Sequence, residues 1–214
     1  NPTGCDLLPA QWAQVVQAVK ARGLVAFLDM AYQGFGDGIA EDGAVVQQFL
    51  AAGADFLVAT SFSKSFSLYG ERVGALSTVC ADRDEAARVL SRLKVLIRTN
   101  YSNPPTHGAQ LVAAVLATPA LRRQWEDELG GMRERIKRMR ALLVQHLAAA
   151  GLKRDMGFIL QQKGMFSYSG LSAAQMQRLR NEFGVYGLDS GRICVAALNE
   201  RNLAPVVAAI AQVA

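Results

Sequence analysis

A continuous apolar run at residues 24–28, Leu-Val-Ala-Phe-Leu, places the strongest constraint on the fold of this chain. A run of this kind is typical of a strand in a parallel sheet that is covered on both faces. The run ends at Asp29, where the sequence predicts a carboxylate at the carboxyl end of the strand. Open α/β sheets place their ligands at that edge. Alternatively, Asp29 is a simple helix or turn cap.

A second buried-looking run, residues 56–59, leads directly into a polar stretch that ends at Gly74 and carries serines, Lys64 and Arg72. Serine hydroxyls and an arginine side chain suit a phosphate group. A lysine just past the end of a strand is well placed to form a Schiff base with an aldehyde. The same residues also fit a solvated loop in which Lys64 is only a surface charge, because loops of this composition are common.

The composition predicts a sizeable core and no strongly charged partner. The chain has 214 residues, of which 51% are hydrophobic and 19% charged, with a net charge of +5. Acids interrupt the basic residues along helical stretches, so we expect no nucleic-acid surface. Three cysteines without metal-ligand spacing predict reduced thiols in a cytoplasmic protein and no metal site. Neither a signal peptide nor an apolar run of about 18 residues is visible, so we expect no membrane span.

Amphipathic periodicity predicts two long helices after the stretch that carries Lys64. Residues 82–98 follow the helical period and end at Arg98, where a cation is favourable as a simple cap. Residues 121–150 form a longer pattern that Gly130 and Gly131 interrupt, and paired glycines are natural kink points. We place a domain boundary there, between residues 1–130 and 131–214, with two separate helices as the alternative. The last part alternates predicted strands (158–160, 164–170, 185–186 and 192–196) with helices (173–183 and 203–213), as in a small α+β unit.

Four segments resemble, in order and spacing, the fold-type I pyridoxal-phosphate aminotransferases of the aspartate and aromatic amino-acid branch. They are Asn1-Pro2-Thr3-Gly4, the segment from Asp29 to Phe35, the stretch from Ala59 to Gly74, and Ser190-Gly191-Arg192. The resemblance covers the whole chain. It implies an α/β fold: the C-terminal part of the large cofactor-binding domain, with a mostly parallel sheet flanked by helices, followed by a small α+β domain. It also implies that the chain is the C-terminal half of a subunit, in a homodimer with shared active sites.

The resemblance assigns roles to residues around the cofactor, pyridoxal 5'-phosphate. Lys64 corresponds to the lysine that links to the cofactor aldehyde and later moves a proton. Asp29 corresponds to the buried carboxylate under the pyridine nitrogen, and Tyr32 to a hydrogen-bond donor to the phenolic oxygen. The expected phosphate ligands are Ser61, Ser63 and Arg72, and Asn1 is expected beside the ring hydroxyl.

Substrate contacts follow from the same resemblance. Arg192 corresponds to the arginine that binds the α-carboxylate, a two-point fit for a guanidinium. Arg98 corresponds to the arginine that reaches into the neighbouring subunit and pairs with a distal carboxylate. Phe166 is expected to line the substrate pocket and Asn1 to lie near the substrate carboxylate. As alternatives, Arg98 caps a helix, Arg192 lies at an exposed strand end and Phe166 belongs to the core.

The expected reaction is transamination between an aromatic or dicarboxylic L-amino acid and a 2-oxo acid such as 2-oxoglutarate. The segment from Phe66 to Arg72 leans towards the aromatic enzymes. Two other hypotheses stay open. One is a non-catalytic fragment or self-association module that lacks the N-terminal half of the active site, and the other is a lyase or decarboxylase on the same fold.

Overall fold

The computed structural model describes residues 3–214, and their contacts divide them into two compact units. The N-terminal unit consists of Leu7–Gly34 and Gly38–Leu129. The C-terminal unit consists of residues 3–6, Phe35–Asp37 and Gly130–Ala214. The predicted domains, residues 1–130 and 131–214, stay a prediction, because units defined by contacts need not fold independently.

A three-stranded sheet forms the centre of the N-terminal unit, in the order β1-β2-β3. Strands β1 and β2 are parallel, with Asp29 beside Ala59. Strands β2 and β3 are antiparallel, with Ser61 opposite Gly74. The strands are β1 (Ala26–Met30), β2 (Phe56–Ser61) and β3 (Gly74–Thr78). The helices of this unit are α1 (Pro9–Ala21), α2 (Ile39–Asp42), α3 (Ala44–Ala51), α4 (Arg83–Asn100), α5 (His107–Ala117) and the first part of α6 (Pro119–Ala149).

The core of the N-terminal unit lies on one face of this sheet. Phe56 and Val58 of β2 are buried there with Val16 of α1 and Phe49 of α3. The prediction that residues 24–28 are covered on both faces is wrong for this chain, since the Phe27 side chain is 65% exposed. Alternate residues of β1 are half-buried and exposed, because the α1 and α3 residues of this core pack against one side of the strand.

Local sequence signals explain where several helices begin and end. The Asp82 side chain accepts a hydrogen bond from the Glu85 amide at 2.7 Å, which caps the start of α4. Helices α2 and α3 are separate helices that meet at Gly43. Helix α6 is continuous across Gly130 and Gly131, so the alternative of two separate helices is wrong.

The C-terminal unit is built from helices and a two-stranded antiparallel sheet of β4 and β5. Its elements are the rest of α6, a short 3-10 helix (Gly157–Gln161), β4 (Phe166–Tyr168), α7 (Ala173–Phe183), β5 (Arg192–Cys194), a second 3-10 helix (Val195–Ala197) and α8 (Leu203–Val213). Their apolar side chains form its core, including Ile136, Leu143, Leu147, Ile159, Met176, Leu179, Val195 and Ile210.

Two strands predicted in this unit are absent from the described residues. Residues 158–160 lie in the first 3-10 helix, because the Asp155 carboxylate accepts the Gly157 amide at 2.7 Å and starts a turn. Residues 185–186 form no strand either, because the Val185 amide donates to the Leu179 carbonyl and completes the end of α7. The left-handed backbone of Gly184, with φ 64°, permits that closure.

Across residues 3–214, none of the helices combines the length and the apolar character that crossing a membrane requires.

Candidate functional site

The segment around Lys64 is a compact turn that follows the end of β2. The Phe66 amide donates to the Phe62 carbonyl at 3.2 Å, and the Ser67 amide donates to the Lys64 carbonyl at 3.1 Å. Ser67 has a positive φ of 56°, an uncommon conformation for a serine. The rings of Phe62 and Phe66 meet edge to face at 5.5 Å. Lys64 is therefore held on a defined turn at the carboxyl end of a strand, and not on an extended solvated loop.

The amine of Lys64 lies over the ring of Tyr32. Its Nζ atom is 4.6 Å from the ring centroid, within the range of a cation–π interaction. Tyr32 follows the end of β1, and Lys64 follows the end of the parallel strand β2. The carboxyl ends of parallel neighbours lie at the same edge of a sheet, which explains how residues 32 positions apart come together.

Asp29 lies on β1 beside Ala59 of β2, one residue before the strand ends. The expectation of a buried carboxylate is wrong for this chain, because Asp29 is exposed. Asp29 and Phe27 alternate with the core-facing residues Leu28 and Met30, so they belong to the opposite face of the strand. Asp29 shares with Lys64 and Tyr32 the edge where β1 and β2 end.

The expected phosphate ligands are Ser61, Ser63 and Arg72, and Ser61 is the last residue of β2. Ser63 is buried, and its amide donates to the Ser61 hydroxyl oxygen at 3.2 Å. Arg72 is exposed, has a positive φ of 54°, and donates from Nη1 to the Tyr69 carbonyl at 2.9 Å. A non-glycine residue in this conformation is kept where the surroundings require it, often at ligand sites. These hydroxyl and guanidinium groups are suitable donors for a phosphate.

Arg98 lies in the last turn of α4, and its Nη1 atom donates to the Ser102 hydroxyl at 2.6 Å. Ser102 has a φ of 67°, and the amides of Tyr101 and Ser102 both donate to the Ile97 carbonyl. The helix end thus holds an exposed guanidinium in one orientation. This geometry fits both the simple cap and the substrate-binding role that the sequence left open.

Arg192 and Phe166 lie together in the C-terminal unit, on β5 and β4. The Arg192 guanidinium carbon is 4.7 Å from the centroid of the Phe166 ring. Both side chains are half-buried, so Phe166 is neither a fully buried core residue nor a fully exposed one. An arginine stacked on an aromatic ring has lost part of its side-chain freedom, which favours recognition of a planar carboxylate.

Sequence reasoning missed several residues that support these groups. The Trp125 indole Nε1 donates to the Ser65 carbonyl at 2.7 Å, and its ring stacks on Phe66 at 4.6 Å with an interplanar angle of 20°. Trp125 belongs to the helical pattern predicted over residues 121–150, and that pattern does not indicate which segment its side chain contacts. In the C-terminal unit, the buried guanidinium of Arg140 donates to the Gly164 carbonyl at 2.6 Å and to the Ser167 hydroxyl at 3.3 Å. No local signal distinguishes Arg140 from the exposed arginines of α6.

Asn1 lies outside the described residues 3–214, so its predicted contacts stay a prediction. Within the described part of the chain, no group of three or more His, Cys, Asp or Glu side chains could hold a metal ion. The three cysteines are free thiols.

The N-terminal unit thus gathers an amine, a phenol, a carboxylate, hydroxyls and a guanidinium around one edge of its sheet. An amine condenses with an aldehyde, while the hydroxyls and guanidinium suit a phosphate ester. The donor set therefore fits a phosphorylated aldehyde. Comparison with known proteins agrees with this chemistry. The model of the family described as aminotransferase class I and II matches residues 1–210.

The chain belongs to that family. The predicted family is therefore confirmed. The chain is 61% identical over 213 residues to an aspartate aminotransferase of Pseudomonas aeruginosa, and the match covers 100% of the chain and 54% of that relative. It is 54% identical over 213 residues to an aromatic-amino-acid aminotransferase of Escherichia coli, again covering 100% of the chain and 54% of that relative.

Among solved structures, an aromatic-amino-acid aminotransferase of Burkholderia pseudomallei superposes with a TM-score of 0.98 at 65% identity. The match covers 100% of this chain and 53% of that one, and the Burkholderia protein is covalently bound to pyridoxal phosphate. The predicted fold class is confirmed. The chain spans about half the length of the curated aminotransferases that it matches.

Proposed function

We propose that this chain provides the lysine-bearing part of a pyridoxal-phosphate-dependent aminotransferase. The reaction would transfer an amino group from an aromatic or dicarboxylic L-amino acid to a 2-oxo acid such as 2-oxoglutarate. The observation that carries the proposal is the Lys64 amine lying 4.6 Å from the Tyr32 ring centroid, on the turn that follows β2. The chain's family and the cofactor bound by the Burkholderia relative support the same reaction.

When bound, pyridoxal phosphate would supply the electron sink that makes loss of the substrate α-proton feasible. Lys64 would provide the amine that links to the aldehyde and then hold the proton in transfer. The Tyr32 hydroxyl would donate a hydrogen bond to the phenolic oxygen of the cofactor. The negative charge of Asp29 would keep the cofactor's pyridine nitrogen protonated. Ser61, Ser63 and Arg72 would bind the phosphate through hydroxyl and guanidinium donors.

Substrate recognition would use two arginines, Arg192 and Arg98. Arg192, stacked on Phe166, would bind the α-carboxylate, and Asn1 would lie near it. Arg98, oriented by Ser102, would bind a distal carboxylate in the active site of the neighbouring subunit of a homodimer. Relatives named for aspartate, tyrosine and aromatic amino acids are all strongly similar to the chain. Both dicarboxylic and aromatic substrates therefore belong to the proposal.

Cytoplasmic location is part of the same proposal, supported by the free thiols of Cys5, Cys80 and Cys194.

A second candidate is a non-catalytic fragment that only associates with itself or with a complementary chain. The observation that favours it is the coverage, since the chain spans 54% of the Pseudomonas relative. In that case Lys64 would be an ordinary half-buried lysine without cofactor chemistry.

A titration with pyridoxal phosphate separates the two candidates. Added to the 214-residue chain, the cofactor should produce a visible absorption band that Lys64→Ala abolishes. Lys94→Ala, which removes an exposed lysine of α4, should keep the band. Absence of any Lys64-dependent band would favour the non-catalytic fragment.

Substrate preference needs a complete subunit. The remaining length can be supplied by the Pseudomonas relative, joined to this chain at the matched position. Transamination with 2-oxoglutarate would then be assayed with aspartate and with phenylalanine as amino donors. Amino-group transfer to 2-oxoglutarate supports the proposed reaction, whereas carbon dioxide release or elimination without transfer would contradict it.

A further inference from the structure

We infer that Trp125 is a positioning residue for Lys64: its indole N–H and its ring hold the turn on which the reactive amine is mounted. This inference rests on the proposed function, because it assigns Trp125 a part in orienting the lysine that the cofactor would use. Trp125 lies 61 positions further along the chain, on α6, so local sequence cannot supply the contact.

Two separate contacts join Trp125 to the turn. Its Nε1 atom donates to the carbonyl of Ser65, the residue directly after Lys64, at 2.7 Å. Its ring stacks on Phe66 at 4.6 Å, and Phe66 in turn meets Phe62 edge to face at 5.5 Å. The aromatic series therefore contacts the chain two residues before Lys64 and two residues after it.

The turn needs such support because its own backbone conformation is unfavourable. Ser67 has a positive φ of 56°, and non-glycine residues adopt that region at a cost. The hydrogen bonds within the turn come from the amides of Phe66 and Ser67. The hydrogen bond from Trp125 of α6 to the Ser65 carbonyl restrains the peptide unit that also carries the Phe66 amide, directly after Lys64.

The same face of α6 also contacts the Tyr32 segment. Leu129 lies four residues after Trp125 and is fully buried. Its side chain packs against Gly34 so closely that a Cβ atom added at Gly34 would lie 2.5 Å from the Leu129 Cδ2 atom. Residues four apart on a helix share a face. Helix α6 therefore contacts both the segment that carries Lys64 and the segment that carries Tyr32, whose side chains meet at 4.6 Å.

A tryptophan indole that is half-buried normally finds some hydrogen-bond partner, so a purely structural role must be tested against the positioning role. Trp125→Phe keeps an aromatic ring for stacking and removes the N–H donor. Trp12→Phe makes the same chemical change at the other tryptophan, on α1, and is the matched control. Phe66→Leu removes the stacking partner and keeps the indole donor.

The first measurement is amide hydrogen exchange in the 214-residue chain without cofactor. Loss of one hydrogen bond is expected to speed exchange of the Phe66 and Ser67 amides about five-fold in Trp125→Phe. Amides of the β1–β2 pairing should keep their rates, as should all amides in Trp12→Phe. If Trp125→Phe exchanges at these two amides like Trp12→Phe, the inference is overturned.

The second measurement uses pyridoxal phosphate as the probe, followed by borohydride reduction and peptide mapping. Trapping at Lys64 is expected to fall about five-fold relative to trapping at Lys94 in Trp125→Phe. The ratio is measured under conditions where each variant is folded, so that Lys64 and Lys94 are compared within the same folded molecules. Phe66→Leu should lower the same ratio, so the test still works if Trp125→Phe does not fold. An unchanged ratio in the folded variants overturns the inference.

The two hypotheses fail in different ways. If the unsubstituted chain shows no trapping at Lys64, the proposed function fails, and hydrogen exchange alone decides whether Trp125 holds the turn. If Lys64 is trapped equally well in the unsubstituted chain and in both variants, the proposed function survives and the role of Trp125 is rejected.

Discussion

Leu129 packs directly against the bare backbone of Gly34: a Cβ built at Gly34 would lie 2.5 Å from the Leu129 Cδ2 atom. Gly34 also has a φ of 93°, a conformation that side chains rarely adopt. This glycine lies two residues after Tyr32. The approach of α6 to the Tyr32 segment therefore depends on the absence of a side chain at one position.

Gly34→Ala is expected to lower the free energy of unfolding by roughly 2–4 kcal/mol, because it combines backbone strain with overpacking against Leu129. Gly131→Ala is the control within α6, where nothing lies within 4 Å of an added Cβ. It should stabilise the chain by about 1 kcal/mol through helix propensity. Urea unfolding of both variants checks the prediction. Equal effects at the two glycines would contradict the packing argument.

Ser102 is expected to respond to substitution through its backbone more than through its side chain. Its φ of 67° favours glycine, and both Ser102→Gly and Ser102→Ala remove the hydroxyl that accepts from Arg98. Ser102→Gly should therefore be about 1 kcal/mol more stable than Ser102→Ala. Thermal unfolding of the two variants measures this difference, and indistinguishable midpoints would argue against strain at the end of α4.

Arg140 is expected to be the most sensitive arginine of α6. Arg140 is 3% exposed, and its guanidinium donates to the Gly164 and Phe166 carbonyls and to the Ser167 hydroxyl. Burial lowers the pKa of the Arg140 guanidinium, which nevertheless stays charged at neutral pH. Arg140→Met should lower the free energy of unfolding by roughly 2–3 kcal/mol, because it leaves these buried acceptors without their donor.

The matched control for Arg140 is Arg123→Met, an exposed position on the same helix. A surface substitution of this kind is usually within about 0.5 kcal/mol of neutral. Guanidinium chloride unfolding compares the two variants, and a loss at Arg123 as large as that at Arg140 would mean that burial is not the cause.

Asp37 is expected to give stability that depends on pH. A hydrogen bond from Lys163, together with the charges of Lys163 and Lys137, lowers the pKa of the Asp37 carboxyl. A depressed pKa means that the contribution is present above the ordinary aspartate value, about 3.9, and is lost as pH falls through the lower folded value. The pair is largely exposed, so the effect is below about 1 kcal/mol.

Asp37→Asn should therefore destabilise the chain at pH 7, and the difference from the unsubstituted chain should shrink below pH 4. Thermal unfolding at several pH values follows that difference. Asp127→Asn, at an exposed position on α6, is the control and should cause little change at either pH. A destabilisation by Asp37→Asn that persists unchanged at pH 3 would rule out the ion pair as its origin.

Local patterns predicted the helices better than the strands. Helices α7 and α8 have the predicted bounds, because amphipathic periodicity and caps act within a few residues. The apolar residues 158–160 were predicted to be a strand and form a 3-10 helix. A short apolar run carries no period of its own, so contacts with the rest of the chain decide its conformation.

The sequence by itself determined the chemistry of the candidate site. It placed Lys64, Tyr32 and Asp29 at or just past the ends of two parallel strands, because strand runs and the polar residues that follow them are local features. The exposure of Asp29 and the pairing of Ser61 with the Ser63 amide depended on which face of the sheet is covered and on how the turn closes.

Only the tertiary structure decided which distant side chains hold these residues in place. The contacts of Trp125 with Ser65, of Leu129 with Gly34 and of Arg140 with Gly164 join positions far apart in the chain. The physical reason is that the apolar periodicity of a helix indicates which side chains face inward. It does not indicate which segment of the chain those side chains will contact. That choice is made by close packing, which acts between elements and leaves no period in the sequence.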